Sequence, residues 1–326
     1  MAAMVETVRG PVEVAHLGRS LMHEHIFVLD PGALRGYSHT FGASYWDEER
    51  EIAKAVASLS RVREAGIVTL VDPTVLGIGR YVPNIERVNA QVDLNIIVAT
   101  GFFAFYELPL FFKLRSVDDL AAFFVRDIRE GVDGTAVKAA FLKFAVEEPG
   151  VVGDVPKIIK AIAVAHRETG VPIMVHTNAA ARTGLAALSA LVAEGVDPAR
   201  VAIAHAGDSS DLEYLREMAR MGAVLGFDRL PGEHILPLQE RLDTLLAMLE
   251  MGYGDRIHLS HDGASFLDFT AGDPAVAAMG LEGDYLFITD TVVPRLLEAG
   301  ITQEQIDEMM IANPGRYFSG EETVAQ

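Results

Sequence analysis

The sequence predicts an α/β protein: a single parallel (β/α)8 TIM barrel, with a short N-terminal strand or hairpin before it and a helix at its C-terminal end. Three observations carry that prediction. Eight short apolar, β-branched runs recur along the 326 residues, each bounded by turn residues and followed by a segment of helical character. Eight units are what closure of such a barrel requires. No G-x-G-x-x-G follows the first run, which disfavours an open doubly wound sheet. Half of the residues are hydrophobic and 22% are charged, a balance that suits a large core. With no short-period repeat, low-complexity tract or long linker, residues 1–326 are read as one domain.

In chain order, Val8-Arg9-Gly10-Pro11-Val12 turns back as a small strand or hairpin. The eight strands are expected at 21–27, 66–75, 94–103, 139–146, 171–178, 201–207, 223–228 and 257–262, with helices including 47–65, 118–130, 155–169, 209–221 and 240–251. Asp47-Glu48-Glu49 puts negative charge into a first helical turn, where the unpaired N–H groups favour it. Gly66, Gly170, Gly195, Gly222 and Gly252 follow closing turns, where a left-handed residue is useful. After Asn313-Pro314 the tail reads as a helix end followed by frayed residues.

Composition removes several classes of function. The formal net charge of −19, from 27 basic and 46 acidic residues, disfavours nucleic acid and anionic lipid as partners. The longest uncharged apolar stretches, such as 94–106, fall short of the ~18 residues of a membrane span. The first ten residues lack the apolar centre of a secretory signal, so a cytoplasmic location is expected. Zero cysteines exclude disulfides and thiolate metal sites, which leaves His, Asp, Glu or a modified Lys as metal ligands.

His23 and His25, in Leu21-Met22-His23-Glu24-His25-Ile26-Phe27, would share one face of a strand while Glu24 points the other way. Barrel active sites gather at the C-terminal ends of strands. There the sequence also places Lys143, His176, His205 and Asp262. Each alone is more often an ordinary hydrogen-bonded core residue. Four of the ten histidines at the ends of three apolar strands, with an aspartate ending another, point jointly to a metal site. His16, His39 and His234 are assigned to loops, His166 to a helix, His258 to the far end of the last strand, and His261 to packing or capping. Lys143 sits among apolar neighbours, where burial penalises its ammonium. It could be a snorkelling structural lysine, a Schiff-base lysine, or a lysine carbamylated by CO2 into an anionic bridging ligand. The last fits best, because with four histidines and one aspartate two divalent cations would otherwise be short of negative ligands. Lys138, before the strand, is read as solvated.

These residues, with Arg9-Gly10-Pro11-Val12, Ala99-Thr100-Gly101-Phe102-Phe103, Gly226-Phe227-Asp228-Arg229, Leu259-Ser260-His261-Asp262 and Asn313-Pro314, resemble the phosphotriesterase family of the amidohydrolase superfamily and its phosphotriesterase-like lactonases. The resemblance covers nearly the whole chain. It implies two divalent metal ions, with zinc first and cobalt, manganese or iron as alternatives. His23, His25 and Asp262 would hold the buried ion, His176 and His205 the more exposed one, and carbamylated Lys143 and a hydroxide would bridge them. Asp262 would accept the proton of the attacking water, with Asp208 and Arg229 beside its path or touching substrate, or else forming a surface salt bridge. The implied activity is hydrolysis of lactones, N-acyl homoserine lactones among them, with promiscuous organophosphate triesterase activity, in a homodimer. Phe103 stands where those lactonases carry a tyrosine, which leaves an esterase or amidase on the same site as an alternative. A metal-free Schiff-base aldolase using Lys143 is the alternative of a different class. The aromatic run Phe102, Phe103, Phe105 and Tyr106 could line an apolar pocket, and residues 108–112 a subunit contact.

Overall fold

In a computed structural model the described residues are 2–41, 45–268 and 285–320. The strands are β1 (Met4–Thr7), β2 (Gly10–Glu13), β3 (Ser20–Leu21), β4 (His25–Val28), β5 (Thr69–Asp72), β6 (Asn95–Phe102), β7 (Phe141–Val146), β8 (Ile173–Thr177), β9 (Val201–Ala204), β10 (Val224–Phe227), β11 (Ile257–Leu259) and β12 (Ala264–Leu267). β1 and β2 form the expected antiparallel hairpin. β3 and β5 to β11 pair in parallel in chain order, making a nearly closed eight-stranded barrel with helices between the strands. Parallel strands covered by helices are buried on both faces, which is why these runs are almost wholly apolar.

The first and last predicted strands are each interrupted. β3 pairs with β5, Met22 to Glu24 leave the ladder, and β4 pairs instead with β12, His25 opposite Ala264. Residues 21–27 are therefore two short strands, and 257–262 is β11 followed by a turn into β12. The cause is closure: the first and last staves must meet, and they do so through Asp262 N–H to His23 O (3.0 Å) and His25 N–H to Gly263 O (2.8 Å).

The helix Glu48–Glu64 starts at the anticipated acidic turn, with Asp47 accepting from Arg50 N–H. Val155–Thr169 matches its predicted bounds. Leu212–Met221 begins later than expected because Asp211, and not Ser209, caps it. Pro31–Phe41 corrects the loop assigned to His39. Asn313–Ser319 is the C-terminal helix, and 321–326 lie outside the described residues.

Two apolar layers fix what faces the barrel axis. Ile97, Phe141, Met174, Ala202 and Val224 pack together above a floor made by Val5, Leu17, Tyr317 and Phe318. The two-residue period of a strand then turns Lys143 to the same side as Phe141, and His176 to the same side as Met174. Gly101, on the neighbouring strand β6, has φ +140°, and a Cβ there would lie 1.8 Å from the Lys143 carbonyl oxygen. Gly101→Ala is expected to destabilise by about 1–3 kcal/mol through overpacking. A lowered urea midpoint would register it, and an unchanged midpoint would contradict it.

His258, on β11, is buried against Tyr317, ring centroids 5.6 Å apart, at the end of the barrel away from Asp262. Burial pulls its pKa down to about 4. An unfolded histidine titrates near 6.5. The unfolded chain thus takes up the proton first, and the stability present above about pH 6.5 is lost as pH falls toward 4, by about 3 kcal/mol in all. Urea midpoints from pH 7.5 to 4.5 should fall less steeply for His258→Asn than for wild type, whereas parallel curves would contradict the assignment.

Candidate metal centre

All six predicted positions converge at one mouth of the barrel. His23 and His25 rings stand 5.5 Å apart, His23 and His205 5.0 Å, and His176 and His205 4.6 Å. His205 and Asp262 each lie just past a strand end with positive φ, +65° and +54°. Side chains other than Gly or Asn rarely adopt this conformation, and it recurs where function dictates aim.

The outward nitrogen of every one of the four imidazoles is held by an acceptor. His23 Nδ1–H donates to Asp228 Oδ2 (2.8 Å) and His205 Nδ1–H to Asp228 Oδ1 (2.9 Å). His176 Nε2–H donates to Glu147 Oε1 (2.8 Å). Thr74 spends its own hydroxyl proton on Asp72, so its Oγ1 accepts from His25 Nδ1–H (2.7 Å). A carboxylate can only accept, so these contacts assign the tautomers.

The inward nitrogens are therefore lone pairs, and they meet one another and a carboxylate. His205 Nε2 and His176 Nδ1 are 2.8 Å apart. Asp262 Oδ1 lies 3.1 Å from His23 Nε2 and 3.3 Å from His25 Nε2. Acceptors facing acceptors inside a buried site call for cations between them. The donor set thus fits divalent metals, His23, His25 and Asp262 forming one candidate group. Asp228 also lies within ligand distance of His23 and His205, but both its oxygens are already occupied by Nδ1–H groups, so it orients ligands instead.

Electrostatics agree for His205 and His176. Burial, with Arg229 nearby, holds His205 well below its ordinary pKa, and burial takes His176 down to about 4, so both imidazoles are neutral and able to ligate. His23 is the exception: burial and Lys143 depress it, yet Asp262 and Asp228 hold it above the usual value, marking a place where positive charge is favoured. Burial opposes the charge on Asp262, but His23, Arg229 and His205 keep its carboxyl well below the usual range. Burial lowers the Lys143 ammonium to about 7 despite Asp262 and Asp228. Its Nζ lies 3.4 Å from His23 Nε2.

Arg229 Nε donates to Asp262 Oδ2 (2.7 Å) and its NH1 to Asp208 Oδ2 (3.3 Å). Arg241, almost wholly buried, reaches Asp208 Oδ1 at 3.1 Å. This network is interior, which corrects the surface salt bridge considered for Asp208 and Arg229. Burial pushes the Asp208 carboxyl up to about 6 against both arginines.

Beside the centre a cavity of about 350 Å³ is lined by His25, His176, Arg229 and Asp262, by Glu147 and His234, and by an apolar wall that includes Ile78, Phe103, Phe105 and Leu267. The Phe103 ring packs edge-on to His176 at 4.9 Å. Phe102 turns instead into the core against Phe112, and Tyr106 is exposed, so only part of the aromatic run faces the cavity. His234 remains in a loop but reaches this wall. Asp228, Glu147, Thr74 and Arg241 were not identified as supports from sequence. Asp228, in Gly226-Phe227-Asp228-Arg229, ends the seventh predicted strand as Asp262 ends the eighth, and that position was the available signal. His261 packs onto Glu24, and Lys138 pairs with Glu6 near the surface.

Comparison with known proteins places this geometry. The sequence model of the phosphotriesterase family matches residues 3–318. The structure of the phosphotriesterase from Mycobacterium tuberculosis superposes with a TM-score of 0.91 at 39% identity, covering 97% of this chain and 98% of that one. An aryldialkylphosphatase of Saccharolobus solfataricus is 35% identical over 94% of this chain and 97% of its own length. An N-acetyltaurine hydrolase of Danio rerio is 25% identical over 97% of each. None of the described helices is long and apolar enough to cross a membrane. With a family match spanning nearly its full length and relatives named as hydrolases, the chain belongs to the phosphotriesterase family and is a hydrolase.

Proposed function

We propose that the chain is a binuclear metal-dependent hydrolase of neutral acyl and phosphoryl esters, with lactones as its principal substrates and organophosphate triesters as a side activity. The observation that carries this is the set of four inward imidazole lone pairs converging with Asp262 and Lys143 at the edge of the cavity. His23, His25 and Asp262 would hold one ion, His176 and His205 the other, and Lys143, about half of it in the neutral amine form at pH 7, would react with CO2 to give a carbamate and a proton, supplying the anion both ions share. When bound, the divalent pair supplies Lewis acidity to the scissile oxygen and hydroxide from water near neutral pH.

The remaining steps belong to the chain's own side chains. The apolar wall of Phe103, Phe105, Ile78 and Leu267 excludes water and seats the substrate's hydrocarbon part. Asp262, ionised at rest, would take up the proton of the attacking water and then release it to the leaving group or to solvent. Arg229, permanently charged, orients Asp262 and Asp208 and does not itself relay a proton. Asp208, its carboxyl pushed up to about 6 by burial, anchors the far side of Arg229 and so fixes the guanidinium's aim at Asp262.

Charge in the cavity favours neutral substrates. Among the described lining residues the one guanidinium, Arg229, is already shared between two aspartates, and Glu147 adds negative charge. An anionic substrate such as an N-acyl aminosulfonate finds no unshared side-chain guanidinium or ammonium among the described lining residues. Phe103 offers no hydroxyl, which keeps open-chain esters as the second reading. Lys143 is not among the cavity-lining residues, which disfavours a Schiff base with a carbonyl substrate.

The test is kcat/KM for zinc- and cobalt-loaded protein across lactones, aryl esters, phosphotriesters, neutral amides and N-acetyltaurine. Lactones or esters should lead, N-acetyltaurine should be at least ten-fold poorer, and a chelator should abolish turnover. No hydrolysis by any metal form defeats the proposal. Leu110, Phe111 and Leu114 stand exposed and are assigned to contact with a second copy, so sedimentation should report a dimer and a monomer would remove that assignment.

A further inference from the structure

Glu24 lies between His23 and His25 in sequence and is entirely buried, yet it faces away from the proposed metals. Its carboxylate gathers four donors from one short segment. Oε1 accepts from Ser260 Oγ–H (2.8 Å), His261 N–H (2.9 Å) and His261 Nδ1–H (2.5 Å), and Oε2 accepts from Gly263 N–H (3.1 Å). Those partners flank Asp262 on both sides. The two N–H groups at 261 and 263 form a concavity around an anion, as successive amides do on either side of a left-handed residue.

Asp262 is that left-handed residue, with φ +54°. Such a conformation is costly for a non-glycine residue and persists only where its surroundings hold it. The backbone lacing of 23–25 to 262–263 ties the two chain segments together but leaves the N–H groups of 261 and 263 to Glu24. Ser260 Oγ closes the frame by accepting from His23 N–H (2.9 Å) while donating to Glu24. On the far side His261 Nε2 accepts from Ile288 N–H (3.0 Å), so the ring's one proton sits on Nδ1 and is given to Glu24.

We propose that Glu24 is a positioning residue for Asp262: its carboxylate holds the left-handed turn that points Asp262 Oδ1 at His23 and His25 and Oδ2 at Arg229. This rests on the metal centre proposed above. Glu24 touches neither substrate nor the ligating nitrogens, and it acts by fixing the one anionic protein ligand that comes from a strained turn.

The experiment is titration of metal-free protein with zinc against a chromophoric chelator, alongside kcat and KM on the best lactone or ester. Wild type should bind two equivalents. Glu24→Gln replaces one acceptor oxygen by an NH2 that faces N–H donors. It should weaken one of the two equivalents by roughly 10–100-fold, the range seen when groups that orient metal ligands are removed, while the other equivalent and KM stay near wild type. His261→Asn, whose amide can still donate at the Nδ1 position, should retain both equivalents, and His261→Phe should lose the same one as Glu24→Gln. If Glu24→Gln fails to fold, the His261 pair reads the same quantity. A wild type that binds fewer than two equivalents overturns the metal reading itself. A wild type with two equivalents, beside Glu24→Gln and His261→Phe variants that keep both at full affinity or lose both equally, overturns the positioning role alone.

Discussion

Lys143→Met is expected to lower kcat/KM by roughly 10³-fold or more and to strip metal from the site. Lewis-acid and hydroxide activation are worth several kcal/mol, and each 1.36 kcal/mol is ten-fold in rate. Methionine keeps most of the side-chain volume in a place that is only 1% exposed, and it removes an amine whose charge burial already disfavours, so the fold should survive. Native mass spectrometry should show one CO2 adduct on wild type and none on the variant, with elemental analysis showing metal loss in parallel. Full metal content and activity in Lys143→Met would remove the carbamate from the account. Borohydride trapping of a carbonyl substrate on wild type would replace it with a Schiff base.

Asp228→Ala should be nearly as damaging, by a different route. One carboxylate fixes a ligand from each proposed ion, His23 through Oδ2 and His205 through Oδ1, and Oδ1 also accepts His205 N–H at 2.8 Å. Removing such an orienting partner typically costs 10–100-fold per ligand, so roughly 10²–10⁴-fold in activity is expected when two histidines are freed together. Three buried donors lose their acceptor at once, and breaking a buried charged network costs about 3–5 kcal/mol. Both metal equivalents should weaken in step, in contrast to the one-sided loss predicted for Glu24→Gln. Zinc titration with thermal unfolding of metal-free protein checks this, and a variant with only one weakened equivalent would show that Asp228 does not couple the two groups.

Strand identities were legible because apolar period and turn residues are local properties. Val155–Thr169 and the hairpin β1–β2 came out where the pattern put them. The ligand candidates were legible for a related reason: polar residues at the ends of apolar runs are conspicuous, and a barrel brings strand ends together. What escaped was whatever depended on a partner distant in sequence. The break at Met22 to Glu24 follows from closure against β12, Asp228 was overlooked beside Arg229, and Glu147 and Thr74 gained meaning only once His176 and His25 were seen to lean on them.

The sequence by itself determined the alternation that closes a barrel, the cysteine-free choice of ligand types, and the six candidates His23, His25, Lys143, His176, His205 and Asp262. Only the tertiary structure decided which nitrogen of each histidine faces inward, because that depends on acceptors lying 23 to 205 residues away along the chain. It also showed what Glu24 and His261, already read from sequence as turned away from the site, lean on: each other. A side chain's direction is set by local backbone geometry, but its proton and its charge are set by whatever folding brings against it.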